Sequence, residues 1–268
     1  MIIIFISALF GLLIGSFLNV VIYRLPKILE AEWQNDTNST LTLSRPRSHC
    51  PACQKPVLWW QNIPVLSYLC LKGKCGHCHV KISLRYPLIE LLTAIISGYL
   101  AWHFGYGWPL LGSLLFTWIM VACFFIDVDH QLLPDNLTLP LLWLGLLFNL
   151  NHTFASLNDA VIGAIAGYLF FWIIYWIFKL LTKKEGLGYG DFKLLAAIGA
   201  WTGWQYLLVV ILLSAVLTLT VAIALRFINN RNLEKAMAYG PALVIAGWIT
   251  LLWGHPIVNT YLQWALHR

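Results

Sequence analysis

Charge is what this chain lacks most. Only 10% of its 268 residues are Asp, Glu, Lys or Arg, against about 25% in a soluble domain. Hydrophobic residues make up 60% and the mean hydropathy is +0.75, so a soluble globular fold is excluded and a polytopic membrane protein is implied. No H-E-x-x-H occurs, which argues against a zinc hydrolase, and no G-x-S-x-G, which argues against a serine nucleophile elbow. There is no G-x-G-x-x-G nucleotide loop, no internal repeat and no low-complexity tract. The first apolar segment, Ile2 to Ile22, has no basic region before it and no small-x-small site after it, so it reads as a retained membrane helix.

Apolar runs suited to crossing about 30 Å of hydrocarbon lie near 2–22, 87–104, 108–127, 137–151, 158–181, 191–204, 206–226 and 238–262. This predicts an all-α membrane protein of about eight helices, the division near Trp204 being the one that separates eight from seven. The net charge of +6 fits basic loops on one membrane side better than nucleic-acid binding, because most of the fourteen tryptophans lie in apolar runs and suit interfacial belts. Sixteen of the seventeen lysines and arginines fall on one side of the eight-helix arrangement: nine in 23–86, then Lys179, Lys183, Lys184 and Lys193, then Arg226, Arg231 and Lys235. Only Arg268 falls on the other. The positive-inside rule then places the N-terminus outside and the 23–86 loop in the cytoplasm.

That loop is the one extramembrane stretch long enough for a domain, so the expected organisation is a first helix over 1–22, a cytoplasmic domain over 23–86 and a helical domain over 87–268. After a polar stretch, Glu30 to Thr42, the loop carries Cys50-Pro51-Ala52-Cys53 and Cys75-Gly76-His77-Cys78, separated by 21 residues. Two C-x-x-C pairs supply four thiolates for a closed, structural zinc site. His49, His77 and His79 are close enough to replace one cysteine, and paired disulfides or redox thiols are the competing reading. Cys70 and Cys123 fall outside the pattern and read as ordinary apolar residues.

Carboxylates are scarce, eleven in all, so their grouping carries information. Three of them, Asp127, Asp129 and Asp135, fall within nine residues at the end of the third apolar run. Asp135, after Pro134, reads as the N-cap of the next helix. Asp129 lies two residues from Asp127 and would face elsewhere on a continuing helix. Asp127 is deepest in the run and the costliest to bury. Asp191 ends a glycine-rich turn, Gly186-Leu187-Gly188-Tyr189-Gly190, whose glycines permit unusual backbone angles and close approach of another chain. Asp191 can cap its helix, perform chemistry, or both. Asp159 reads as a cap, and Glu90, a turn inside its helix, reads as a partner for Arg85, Lys81 or a charge in the bundle. On this topology Asp127 and Asp191 share one membrane face. Two carboxylates close together in a low dielectric share a proton, so one can act as base towards water and the other as acid towards a carbonyl. A proton-coupled transporter with a regulatory zinc domain, or a membrane scaffold with a metal domain, would account for the same residues.

Gly188-Tyr189-Gly190-Asp191 resembles the G-x-G-D signature of intramembrane-type aspartyl proteases. Together with Asp127-Val128-Asp129-His130-Gln131-Leu132-Leu133-Pro134-Asp135, the two C-x-x-C pairs and Gly15-Ser16-Phe17-Leu18-Asn19-Val20-Val21-Ile22-Tyr23-Arg24-Leu25-Pro26, it is similar to the prepilin peptidases across essentially the full chain. The resemblance implies an aspartyl endopeptidase of the bacterial inner membrane with Asp127 and Asp191 as its catalytic pair. It would remove basic leaders, on the cytoplasmic side and usually after a glycine, from prepilins or pseudopilins of type IV pili or type II secretion. It also implies N-methylation of the new terminus from S-adenosylmethionine, with Gly73-Lys74 fitting the segment associated with methyl transfer. Glu30, Glu32, Asp36, Asp129 and Glu185 are the carboxylates available to a basic leader.

Overall fold

The computed structural model describes residues 1–36, 40–50, 52–184, 186, 188–229 and 238–266. Pro51, Glu185, Leu187, Arg231, Lys235, His267 and Arg268 therefore lie outside the described residues. The expected helices form as α1 (Ile2–Trp33), α3 (Arg85–Phe104), α4 (Trp108–His130), α5 (Asp135–Asn149), α6 (Leu157–Thr182), α7 (Tyr189–Thr202), α8 (Leu207–Asn229) and α9 (Gly240–Leu266), and a short α2 (Leu66–Cys70) sits in the loop between α1 and α3. The division near Trp204 is real: α7 stops at Thr202, and a 3-10 turn over Trp204–Tyr206 leads into α8.

Six of the described helices are long and apolar enough to span a membrane. Of the other three, α2 has 5 residues, and α5 and α7 have 15 and 14. At 1.5 Å per residue α7 is about 21 Å long, short of the hydrocarbon thickness of about 30 Å. Its surroundings explain how so short a helix is tolerated. From Asp191 to Thr202 every residue except Lys193 is buried, so α7 is enclosed by protein and does not need to match the bilayer.

The chain forms two compact units, Met1–Ala122 and Cys123–Arg268, with α4 running from the first into the second. In the N-terminal unit α1 packs along α3. Contrary to an apolar segment closing at Ile22, α1 continues through Pro26 to Trp33. Three buried polar side chains on these helices hold the loop. The Arg24 guanidinium donates to the carbonyls of Thr42 at 2.9 Å, Leu43 at 3.4 Å and Pro46 at 2.8 Å. Asn19 donates to the Tyr86 carbonyl at 3.1 Å. Glu90 accepts the Val65 N–H at 2.8 Å, so its partner is a loop amide and not the expected lysine or arginine. Val65 has φ +60, a strained angle for a β-branched residue, and the carboxylate stabilises that turn.

In the C-terminal unit α7 packs against α6 and α5. The α6 contact is backbone on backbone. A Cβ on Gly163 would strike the Gly199 carbonyl, one on Gly199 would strike that of Gly163, and one on Gly167 would lie 2.7 Å from the Leu195 oxygen. Small residues four apart allow membrane helices to approach this closely. On the α5 side Asn149 donates to the Ala200 carbonyl at 2.8 Å and the Trp201 carbonyl at 3.1 Å, satisfying the end of α7. Its own oxygen accepts the N–H groups of Phe154 and Ala155, each at 3.0 Å. Trp201 donates from Nε1 to the Leu141 carbonyl at 2.8 Å.

This packing makes Gly199 intolerant of size. Gly199→Val is expected to destabilise the protein by about 1–3 kcal/mol through overpacking, read as a lower unfolding midpoint in detergent. An unchanged midpoint would mean that α6 and α7 are not held at this distance.

Candidate active site and metal centre

Asp127 lies in the last turn of α4 and Asp191 in the first turn of α7. Both are buried, at 5% and 9% exposure, whereas Asp129 is exposed. The helical-face argument separating Asp127 from Asp129 therefore holds. Asp191 and Asp127 lie in one unit, and Leu133 bridges their surroundings, packing against Gly190 next to Asp191 and against Gly240, whose backbone faces the Asp127 carboxylate.

Asp191 is the third residue of α7, and the cap position belongs to Gly188. Its N–H donates to the Gly188 carbonyl at 3.2 Å, while its carboxylate reaches back to the Gly188 amide. This is the carboxylate half of a capping box, so the aspartate contributes to the helix start without occupying the cap. The glycines do not supply unusual angles as expected. Gly188 has φ -80 and neither Gly186 nor Gly190 has positive φ. Their use is space: a Cβ on Gly190 would lie 2.7 Å from the Leu133 Cβ, whereas on Gly188 its nearest neighbour would be the Asp191 carboxylate at 3.6 Å.

Asp135 is not an N-cap either. Pro134 holds that position, and Asp135 accepts from Lys193 Nζ at 2.6 and 2.7 Å. With the two side chains 27% and 51% exposed, the ion pair contributes at most about 1 kcal/mol. It fixes the 131–135 turn against α7. Asp159 likewise is not the cap of α6: Ser156 caps it, and Asp159 accepts the Ser156 hydroxyl at 2.6 Å and the Trp204 Nε1–H at 2.9 Å.

Several residues at this site were assigned no role from the sequence. Leu133 is inserted between Gly190 and Gly240. Tyr189, Phe192 and Tyr175 stack around the start of α7, with ring separations of 5.1–5.8 Å. Phe171 meets Tyr239 edge-on at 5.7 Å, and the Tyr239 hydroxyl is 2.6 Å from Ser214 Oγ. Aromatic residues throughout a membrane helix show no periodicity that marks which ones face a site. The one available hint was Gly240-Pro241, since proline favours a helix's first turn.

The four cysteines of the N-terminal unit converge. The Sγ atoms of Cys50, Cys53, Cys75 and Cys78 all lie within 4.8 Å of one another, and Cys50 is 3.8 Å from Cys78. A tetrahedral Zn–S distance of about 2.3 Å requires sulfurs about 3.8 Å apart, so the cage fits zinc. Among the described residues no histidine joins this cluster; His49, His77 and His79 are exposed. All six cysteines are free thiols, with Cys123 buried and Cys70 exposed.

The two cysteine turns repeat one geometry. Cys50 N–H donates to the Lys55 carbonyl and Cys75 N–H to that of Val80, while Gln54 and His79 donate back to the Cys50 and Cys75 carbonyls. Gln54 and His79 are both left-handed, at φ 57 and φ 56. Backbone N–H groups of Cys78 and His77 push the Cys75 thiol down to about 6. Although the Val80 N–H favours the Cys78 thiolate, burial and the neighbouring thiols push it up to about 11. A metal cation removes that mutual repulsion. Gly73 is buried at φ +68, and a Cβ there would lie 2.7 Å from the Tyr68 hydroxyl. Gly73 thus shapes the turn, and Lys74 beside it is exposed.

Residues 9–104 match the model of the bacterial peptidase A24 N-terminal domain, and residues 114–223 that of the type IV leader peptidase family. The prepilin leader peptidase/N-methyltransferase of Pseudomonas aeruginosa is 51% identical over 270 residues, covering 97% of this chain and 93% of that protein. The protein of the same description from Aeromonas hydrophila is 55% identical over 266 residues, covering 95% and 92%. That from Neisseria gonorrhoeae is 46% identical over 273 residues, covering 97% and 94%. No solved structure matches. With two family models matched in order and relatives aligned nearly end to end, this multi-pass membrane chain belongs to the type IV leader peptidase family.

Proposed function

We propose that this protein is a membrane aspartyl endopeptidase that removes the leader from type IV prepilins or type II secretion pseudopilins and N-methylates the new terminus. The observation that carries the peptidase reading is the pair Asp127 and Asp191, both buried in one unit and linked through Leu133, which packs against Gly190 beside Asp191 and against Gly240, whose backbone faces Asp127. The relatives' descriptions as prepilin leader peptidase/N-methyltransferase support both activities. A transporter would use such carboxylates as a proton relay, and the relatives described above give that reading no support.

In the reaction one carboxylate, ionised, takes a proton from water while the other, protonated, donates to the scissile carbonyl oxygen. The resulting tetrahedral diol collapses when the first carboxyl returns its proton to the leaving nitrogen and the second, now ionised, takes the proton of a diol hydroxyl as the carbonyl re-forms and the C–N bond breaks. No covalent enzyme intermediate forms. The aromatic rings around the start of α7 and the burial of both carboxylates keep bulk water out, which strengthens their coupling.

The proposed organisation is a first membrane helix at 1–22, a cytoplasmic zinc domain at 23–86 and a peptidase domain at 87–268, in the bacterial inner membrane with a periplasmic N-terminus. A zinc ion bound by Cys50, Cys53, Cys75 and Cys78 would hold the two cysteine turns together. S-adenosylmethionine would supply the methyl group, with Gly73 setting the turn and Lys74 its exposed neighbour. The substrate's apolar helix would lie in the bilayer and its basic leader in the cytoplasm, where Glu30, Glu32, Asp36 and Asp129 are exposed.

Asp127→Asn and Asp191→Asn are each expected to lower prepilin cleavage about 100- to 10,000-fold. Normal cleavage by either variant would remove that residue from the pair. Cys50→Ser or Cys75→Ser should reduce bound zinc, measured by elemental analysis of the purified protein; unchanged zinc content would refute the four-thiolate site. Charge reversal at Glu30, Glu32, Asp36 and Asp129 should raise KM for a basic leader and leave kcat intact. An unaltered KM would mean the leader is held elsewhere.

A further inference from the structure

Asp127 occupies a costly place on its own helix. It lies in the last turn of α4, where the helix presents the partial negative charge of its unpaired carbonyls. It is 5% exposed, and its Oδ2 is buried without a hydrogen-bond partner among the described residues. Something else must make that position tenable.

What Oδ2 faces is the backbone of Gly240. A Cβ on Gly240 would collide with Oδ2, lie 3.0 Å from the Asp127 Cγ and lie 3.1 Å from the Leu133 Cδ1. Gly240 is the first residue of α9, a 27-residue helix. The carbonyl of Tyr239 accepts the first helical N–H groups, from Ala242 at 3.1 Å and Leu243 at 3.2 Å. The amide end of α9, with its partial positive charge, is therefore aimed at the carboxylate that its own helix disfavours. That end is fixed in place from behind. The Tyr239 hydroxyl is 2.6 Å from Ser214 Oγ on α8, and its ring packs edge-on against Phe171 of α6 at 5.7 Å.

We propose that Gly240 is a positioning residue of the active site: its side-chain-free amide end of α9 seats the Asp127 carboxylate, and the Tyr239–Ser214 pair anchors that seat. The proposal rests on the peptidase reading of Asp127 and Asp191. It adds a third chain segment to the site, which neither aspartate motif contains. Glycine is required at 240 because the carboxylate occupies the volume that a Cβ would need. Leu133 occupies the adjoining volume, so the carboxylate cannot move aside while it remains seated.

The test uses the full-length protein in lipid or detergent, with two readouts. The first is steady-state cleavage of a prepilin. Gly240→Ala is expected to lower kcat about 100-fold, the cost of an ångström-scale misplacement of a reacting group, with KM, zinc content and unfolding midpoint unchanged. The second is independent of substrate: modification of Asp127 by a water-soluble carbodiimide, read by mass spectrometry, should become faster in Gly240→Ala as the carboxylate leaves its seat. Adding Leu133→Ala should not restore kcat, because the collision with Asp127 remains. Tyr239→Phe and Ser214→Ala should each lower kcat, and their combination should do so no further than either alone.

Full kcat in Gly240→Ala overturns the proposal, as does recovery on adding Leu133→Ala, which would make Gly240 merely a packing partner of Leu133. If Gly240→Ala fails to fold, the Tyr239 and Ser214 variants decide: kcat losses that add up independently refute the anchor. If the unaltered protein cleaves no prepilin, the peptidase reading fails instead. The seat is then judged by carbodiimide labelling alone, and equal labelling rates in Gly240→Ala and the unaltered protein refute it.

Discussion

The contact on which the C-terminal unit depends is the meeting of two bare backbones, Gly163 on α6 and Gly199 on α7. Neither position has room for a methyl group. At that distance α7 is held as an inner helix, too short to cross a bilayer and enclosed almost completely by its neighbours. Its N-terminus, and with it Asp191, is thereby placed inside the protein. Asn149 and Trp201 complete the arrangement at the opposite end of α7 by satisfying backbone carbonyls that have no water to turn to.

Burial of the two aspartates follows from this arrangement and has a cost that the surrounding backbone offsets. Asp191 lies in the first turn of α7, where the helix dipole favours a carboxylate, and it reaches the Gly188 amide. Asp127 lies at the unfavourable end of α4 and faces the start of α9. Backbone amide ends serve both acids, while the lysines bound nearby go elsewhere, Lys193 to the exposed Asp135 and Lys179 to the Tyr175 hydroxyl. That division makes chemical sense. A lysine beside either acid would fix it as an anion and prevent the pair from sharing a proton.

The N-terminal unit solves a different problem, that of attaching a polar loop to apolar helices. Arg24, Asn19 and Glu90 are buried on α1 and α3, and each bonds to loop backbone. Every one of these residues falls near the same end of the helix pair, so the loop is tied down where it leaves the membrane segments. The cysteine turns beyond that attachment repeat one hydrogen-bonding pattern and bring four sulfurs to tetrahedral spacing. Arg24 and Asn19 lie in the Gly15–Pro26 stretch that carried the family resemblance. Their contacts give that stretch a structural purpose beyond spanning the membrane.

Much of this was legible in the sequence because it depends on local properties. Hydrophobic run length located the helices, including the break at Trp204, and C-x-x-C spacing brought the four cysteines together. The scarcity of charge singled out Asp127 and Asp191, since a carboxylate in an apolar run must be accommodated somehow. Local reasoning failed where a residue's partner is distant in sequence. Glu90 was expected to meet a nearby cation and instead accepts the Val65 N–H; Asp135 was expected to cap a helix and instead pairs with Lys193. The glycines before Asp191 were expected to permit unusual backbone angles and close approach of another chain; the angles are ordinary, and the close approach at Gly190 is that of Leu133. The sequence by itself determined which groups are too polar for their surroundings. Only tertiary packing decided what answers each of them, because the answering groups are mostly backbone amides and carbonyls, which every residue type carries and no sequence motif records.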